Sequence, residues 1–337
     1  MRILFDPEPR AAADIFSSDD FRRFTSTYDV VTWNGEERES FYRRHLPDID
    51  VLISQQPMER DRLDMAPKLR AIVNVETNFL PNVDYDACFQ RGIHVIAPSS
   101  VFAAPVAEIG LGMALSLARG IHTAHGDFVA GRELYGLDGN HEAELLFGAD
   151  VGFVGFGDLG RAVHRLLAGF QPRIRAFDPW IPDGALTRFG VEPATLDEVL
   201  AKSRFVFVVA TITTENAHLL NAEKLALMQK GASLILLSRA AVADFEALKA
   251  AAGAGKIKVA TDVFPEEPVP ADDPIRTVPN ILFSAHRAGA LTSALQNIGR
   301  LVLEDLGQFA RGLPPVACKR AERETVGRIR SKPIDKS

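Results

Sequence analysis

Only two cysteines, Cys88 and Cys318, occur in the 337 residues. That is too few for a disulfide framework, and they lack the paired spacing of a zinc site. Neither has a base beside it in sequence that would activate a thiolate. No uncharged apolar run reaches the length of about 18 residues that suggests a membrane span. Met1-Arg2-Ile3-Leu4-Phe5 reads directly into a strand and leaves no room for a signal peptide, so a soluble, cytoplasmic protein without a membrane partner is expected. Positive charge is also scarce. The 38 Lys and Arg stand against 44 Asp and Glu, a net charge of -6, whereas nucleic-acid binding wants a basic stripe. The one Arg/Lys-rich segment, Lys319 to Lys336, also carries Glu322, Glu324 and Asp335 and reads as solvated surface.

Apolar residues make up 47% and charged residues 24%, an ordinary globular balance, and the length exceeds what one core usually fills. Short β-rich runs alternate with helical patterns: 3–5, 29–33, 51–53, 69–73 and 93–96, then 151–154, 174–177, 205–209, 233–237, 258–261 and 281–284. Alternation of this kind builds βαβ units around parallel sheets, here in two α/β domains. A helix over Tyr85–Gln90 is closed by Gly92. The last helical pattern, Thr292 to Arg311, is expected to pack back on the first domain, making that domain discontinuous: residues 1–98 with 290–337, around an inserted 99–289. A cleft between the two is the expected ligand site.

The stretch Ala103 to Arg119 is apolar nearly all round and contains Gly110 and Gly112. Helix-internal glycines suit close approach of another helix, within the chain or, the preferred reading, across a homodimer. His122 and His125, three apart with no acidic ligand, give little support for a metal site.

Val151-Gly152-Phe153-Val154-Gly155-Phe156-Gly157-Asp158-Leu159-Gly160 is a strand running into G-x-G-x-x-G and then a helix. Gly155 permits the tight turn, Gly157 lets backbone approach a pyrophosphate, and Gly160 lets the helix lie close on the strand. Asp178 ends the next strand, 23 residues beyond Gly155, where a carboxylate binds ribose hydroxyls and repels a 2′-phosphate. NAD is therefore favoured over NADP, although Arg173 and Arg175 lie near in sequence. Asp158 within the loop must point outward.

From about Val95 to Pro314 the sequence resembles the D-isomer-specific 2-hydroxyacid dehydrogenases. The resemblance rests on Val106-Ala107-Glu108, the glycine fingerprint with Phe177-Asp178-Pro179-Trp180, Ser238-Arg239, Asp262-Val263-Phe264-Pro265-Glu266-Glu267-Pro268 and Ala285-His286. It implies two doubly wound parallel-sheet domains, a Rossmann NAD-binding domain and a flavodoxin-like substrate domain. It also implies catalytic roles for Arg239, Glu267 and His286, cofactor contacts at Gly155, Gly157, Asp158, Leu159, Gly160, Asp178, Ala210, Leu237, Ser238, Arg239, Asp262 and His286, and substrate contacts at Glu76, Thr77, Asn78, Arg239 and His286. The chemistry asks for these residue types independently. Reduction of a keto acid needs a proton donor, and histidine titrates near neutrality. A carboxylate on its other ring nitrogen fixes the tautomer and favours imidazolium. An arginine fork binds the substrate carboxylate.

The pattern departs in the first domain. Thr77 and Phe79 stand where glycines would present backbone N–H groups to the substrate, Ala97 replaces an asparagine, Ala240 follows Arg239, and Arg287 follows His286. Side chains at 77 and 79 are expected to narrow the carboxylate pocket, with Glu76 and Arg287 at its mouth or paired with each other. A polar 2-hydroxy or 2-keto acid, like glycerate, hydroxypyruvate or a sugar acid, is favoured. Phosphoglycerate is disfavoured because no basic cluster is evident in the first domain. The competing reading is an NAD-sensing dimeric interaction module like the transcriptional corepressors of this fold. Formate oxidation is disfavoured by glutamate at 267.

Overall fold

The computed structural model describes residues 1–76 and 78–330. The chain divides into two compact units, one formed by Met1–Phe102 with the segment from Leu291 onward and the other by Ala103–Ala290. The sequence reading drew its boundaries at 98/99 and 289/290.

In the first unit, β1 (Arg2–Asp6), β2 (Asp29–Thr32), β3 (Val51–Ser54), β4 (Ala71–Val73) and β5 (His94–Ala97) form a parallel sheet in the order β5-β4-β3-β1-β2. Period-two alternation divides its side chains between two cores. Leu4, Leu52, Ile72 and Val95 enter one, while Ile3, Phe5, Val51, Ile53, Val73 and Ile96 enter the other with Ile298, Val302, Leu306 and Phe309 of the helix Thr292–Ala310. Burial on both faces explains the nearly unbroken apolar strands. Tyr85–Arg91 is a helix ended by Gly92 at φ +69°, a backbone conformation that glycine adopts without strain.

The C-terminal segment departs from the solvated surface expected of it. Asp305, fully buried on the last helix, accepts hydrogen bonds from the backbone N–H groups of Val316, Ala317 and Cys318 at 2.7–2.9 Å. These bonds fix the chain just before a short strand, Lys319–Arg320, which pairs antiparallel with β5, and Ala321 and Val326 beyond it are buried. Two paired residues are too few for a periodic signal. Lys336 and Asp335 lie outside the described residues. Burial, with Asp84 nearby, pushes the Cys88 thiol up to about 12, and burial beside Asp305 raises Cys318 too, so both are inert thiols.

The second unit contains β6 (Asp150–Val154), β7 (Arg173–Phe177), β8 (Glu192–Pro193), β9 (Phe205–Val208), β10 (Ala232–Leu236), β11 (Ile257–Thr261) and β12 (Ile281–Phe283). They form one parallel sheet in the order β12-β11-β10-β9-β6-β7-β8. The two-residue β8 was not foreseen. Strand order reverses at β6, which puts the glycine loop at the switch point where doubly wound sheets bind ligands. The helix Ala103–Arg119 buries one face, including Val106, Gly110, Met113 and Leu117, and packs on the helix Asp158–Leu167. Gly110 meets Leu237: a Cβ there would lie 2.5 Å from the leucine Cδ1. The close approach expected at Gly110 is therefore made inside this unit, by a loop side chain. A Cβ on Gly112 would meet nothing within 4 Å.

Candidate active site

At the carboxyl end of β6, Gly155 has φ +91°, and a Cβ on it would come within 2.7 Å of the Ala210 backbone. Both constraints demand glycine. Gly157 caps the helix Asp158–Leu167 with open space where its Cβ would be, and a Cβ on Gly160 would sit 3.0 Å from the Gly155 carbonyl oxygen. Unobstructed backbone at a helix N-terminus is what a pyrophosphate requires. Asp158 is exposed and Leu159 half-buried on the first turn.

The Asp178 carboxylate accepts hydrogen bonds from the Phe156 N–H at 2.8 Å and the Trp180 N–H at 2.9 Å, which ties the end of β7 to the glycine loop. Carboxylate oxygens keep further lone pairs for ribose hydroxyls. Arg173 and Arg175 are occupied elsewhere. Both pair with Asp150 at the start of β6, and Arg175 also binds the Lys202 carbonyl, so the sequence proximity that favoured NADP leads to no phosphate contact. The loop thus fits NAD.

The remaining residues converge on the same edge of the same sheet. Glu267 Oε2 lies 2.6 Å from His286 Nδ1, and Glu267 Oε1 accepts the Phe264 N–H at 2.8 Å, so the carboxylate is oriented from both ends. His286 has φ +47°, strained for a residue with a side chain. Asp262, 1% exposed, holds that turn: its carbonyl accepts the His286 N–H at 2.7 Å and its carboxylate accepts the N–H groups of Arg287 and Ala288 at 3.1 Å. The direct geometric role of Asp262 is therefore to position His286. Arg239 donates from Nη1 to the Ser238 carbonyl at 2.7 Å, and burial pushes its guanidinium below the ordinary value, opposed by the negative charge of Glu267. Leu237 and Ser238 are buried beneath it, the Ser238 hydroxyl with no partner among the described residues. Among the described residues no group of three or more His, Cys, Asp or Glu side chains is placed to hold a metal ion; His122 instead bonds Ser116 at 3.0 Å.

In the first unit the structure corrects the sequence reading. Within that unit Glu76 pairs with Arg10. It is 6% exposed, and its carboxylate takes Nε and Nη2 of Arg10 at 2.9 and 3.3 Å. Phe79, 7% exposed, turns into the apolar core instead of narrowing a pocket, because its large side chain finds burial beneath the sheet edge. Asn78 is half-buried, and Thr77 lies outside the described residues. Arg10 and Gln55, which accepts the Glu76 N–H at 2.9 Å, were missed. A signal existed: both follow closely on the ends of parallel strands, where ligands are expected.

The sequence profile of the D-isomer specific 2-hydroxyacid dehydrogenase NAD binding domain matches residues 111–288. The D-3-phosphoglycerate dehydrogenase of Methanocaldococcus jannaschii is 30% identical over 84% of this chain, which spans only 54% of that protein. The glyoxylate reductase of Pyrococcus furiosus is 31% identical over 86% of this chain and 88% of its own length. The crystal structure of a phosphoglycerate oxidoreductase from Rhizobium etli is 50% identical, with a TM-score of 0.89 over 96% of this chain and 99% of that one. The chain therefore belongs to the D-isomer-specific 2-hydroxyacid dehydrogenases and is an NAD-dependent oxidoreductase of 2-hydroxy acids.

Proposed function

We propose that Arg239, Glu267 and His286 carry the reaction and that the substrate is a small polar 2-keto or 2-hydroxy acid bearing a further hydroxyl, of the hydroxypyruvate/glycerate or sugar-acid kind. The observation that carries the proposal is the 2.6 Å contact between Glu267 and His286 Nδ1, which leaves Nε2 without a partner among the described residues on a side chain 43% exposed. In the reductive direction the Arg239 guanidinium holds the substrate carboxylate and draws charge toward the carbonyl oxygen. The proton on His286 Nε2 passes to that oxygen, and Glu267 stabilises the imidazolium beforehand. NADH, held by the Gly155–Gly160 loop and Asp178, would supply the hydride to C2. Oxidation reverses these steps, with His286 accepting the proton. Glu76, Thr77 and Asn78 are the further substrate contacts that the resemblance implies.

The relatives act by name on phosphoglycerate and glyoxylate, both small and polar. Against a phosphate ester stands the charge of the first unit: Arg10 is paired with Glu76, and Arg38 with Asp6 and Glu8. The test is kcat/KM with NADH for hydroxypyruvate, a sugar-acid-derived keto acid, glyoxylate, 3-phosphohydroxypyruvate, pyruvate and a branched keto acid. The hydroxylated acids should lead, and a preference for the apolar ones would refute the assignment.

A homodimer is also proposed. In the second unit, Phe128, Val129, Leu134, Tyr135, Leu137 and Phe147 are each 57–77% exposed within a short segment, an apolar surface of the kind that monomers rarely leave open. Light scattering should give twice the chain mass, falling to one chain for Phe128→Asp with Leu137→Asp; a monomeric wild type refutes this.

A further inference from the structure

Two glycines sit inside the helix Ala103–Arg119, where glycine is less favourable than alanine, and only one has a contact that accounts for it. A Cβ on Gly112 would meet nothing within 4 Å. At Gly110 the missing Cβ leaves a notch that Leu237 occupies, with Cδ1 2.5 Å from where that Cβ would be. The helix packs along β10 and β11, and Leu237 is the first residue beyond β10.

Leu237 is held at both ends. Its N–H donates to the Val208 carbonyl at 3.1 Å, and its side chain, 5% exposed, fills the notch. Arg239 stands two residues on. Among the described residues its guanidinium has no ion-pair partner and makes one hydrogen bond, to the neighbouring Ser238 carbonyl at 2.7 Å. An arginine that no carboxylate fixes takes its direction from the packing of the chain that carries it. The Ser238 hydroxyl, buried without a partner among the described residues, supplies no such anchor. Arg239 itself is extended, at φ -146° and ψ 136°, so a shift at Leu237 is carried forward to it and not absorbed in a turn.

We infer that Gly110 is a positioning residue for Arg239, acting through Leu237. The inference rests on the role given to Arg239 above. Alanine at 110 forces the leucine methyl back by about 1 Å to reach an ordinary carbon–carbon contact of about 3.5 Å. Because Leu237 is buried, its methyl has no solvent to swing into, and overpacking of this kind moves backbone as well as side chain. A misplacement of about 1 Å in a group that orients substrate costs up to about 100-fold in rate.

The experiment measures kcat and KM for the 2-keto acid that wild type reduces best among those compared above, and NADH affinity separately by fluorescence. The variants are Gly110→Ala, Gly112→Ala, Leu237→Val and the double variant Gly110→Ala with Leu237→Val; Arg239→Ala is the reference, and circular dichroism checks folding. Gly110→Ala should lower kcat/KM about 10- to 100-fold, through both kcat and KM, with NADH affinity within about 3-fold of wild type. Valine lacks the δ carbons, so in the Leu237→Val background the same change should cost less than about 3-fold. Gly112→Ala should stay near wild type. Wild-type rates in Gly110→Ala, equal losses in both backgrounds, an equal loss in Gly112→Ala, or a loss carried by NADH affinity overturns the inference alone. Should Gly110→Ala not fold, a folded double variant as active as Leu237→Val supports the same link, and an unfolded or inactive one overturns it. Wild-type rates in Arg239→Ala overturn the role of Arg239 and the inference with it.

Discussion

Replacing Glu267 by glutamine tests the division of labour between the carboxylate and the imidazole. The two side chains touch at 2.6 Å and are 33% and 43% exposed. Opposite charges about 4 Å apart attract by about 1–4 kcal/mol for effective dielectric constants of 80 to 20. Half-exposure places this pair in the lower part of that range, about 1–2 kcal/mol. Keto-acid reduction requires the proton on His286 opposite the Glu267 carboxylate, so Glu267→Gln should lower kcat/KM for reduction about 5- to 30-fold, the same 1–2 kcal/mol expressed as a rate, with NADH affinity unchanged. Glutamine has one carbonyl oxygen, so it cannot accept from both His286 Nδ1 and the Phe264 N–H through two oxygens as the carboxylate does. A stability loss of about 1 kcal/mol should accompany the rate effect. Steady-state kcat/KM, with NADH affinity determined separately, measures this. An unchanged rate in the folded variant would show that Glu267 does not support the histidine.

Two further substitutions probe the supporting structure. Asp178→Ala should narrow the preference for NADH over NADPH by about 10- to 100-fold, the worth of charged hydrogen bonds to ribose hydroxyls, and equal use of both cofactors by the natural protein would refute the role. Asp305→Asn leaves at least one of the three backbone N–H groups at 316–318 without an acceptor; it should lower stability by about 2–3 kcal/mol, seen as a reduced Tm, and an unchanged melt would show the C-terminal segment is held some other way.

Much of this was legible in the sequence because local physics governs it. β1 to β7 and β9 to β12 announce themselves as apolar runs between helical patterns, and Gly155 and Gly92 stand where positive φ is required. The family resemblance pointed to Arg239, Glu267 and His286, and the structure brings the last two into contact. What escaped depends on contacts distant in sequence. Arg10 and Glu76 are 66 residues apart, and nothing local says that an arginine after β1 will claim a glutamate after β4. Phe79 was misread because a glycine position taken over by an aromatic can turn its side chain either way, and only the core decides. The roles of Asp262 in holding the His286 turn and of Asp305 in anchoring the tail likewise involve carboxylates accepting from backbone that the sequence does not label.

The central claim is that His286 delivers and removes the substrate proton while NADH is bound elsewhere on the same unit. The most direct measurement is keto-acid reduction by His286→Ala, with NADH affinity determined separately by fluorescence. NADH should bind within a few-fold of wild type while kcat/KM falls by about 100-fold or more, the usual weight of a general acid. Wild-type turnover by this variant across pH would contradict the assignment.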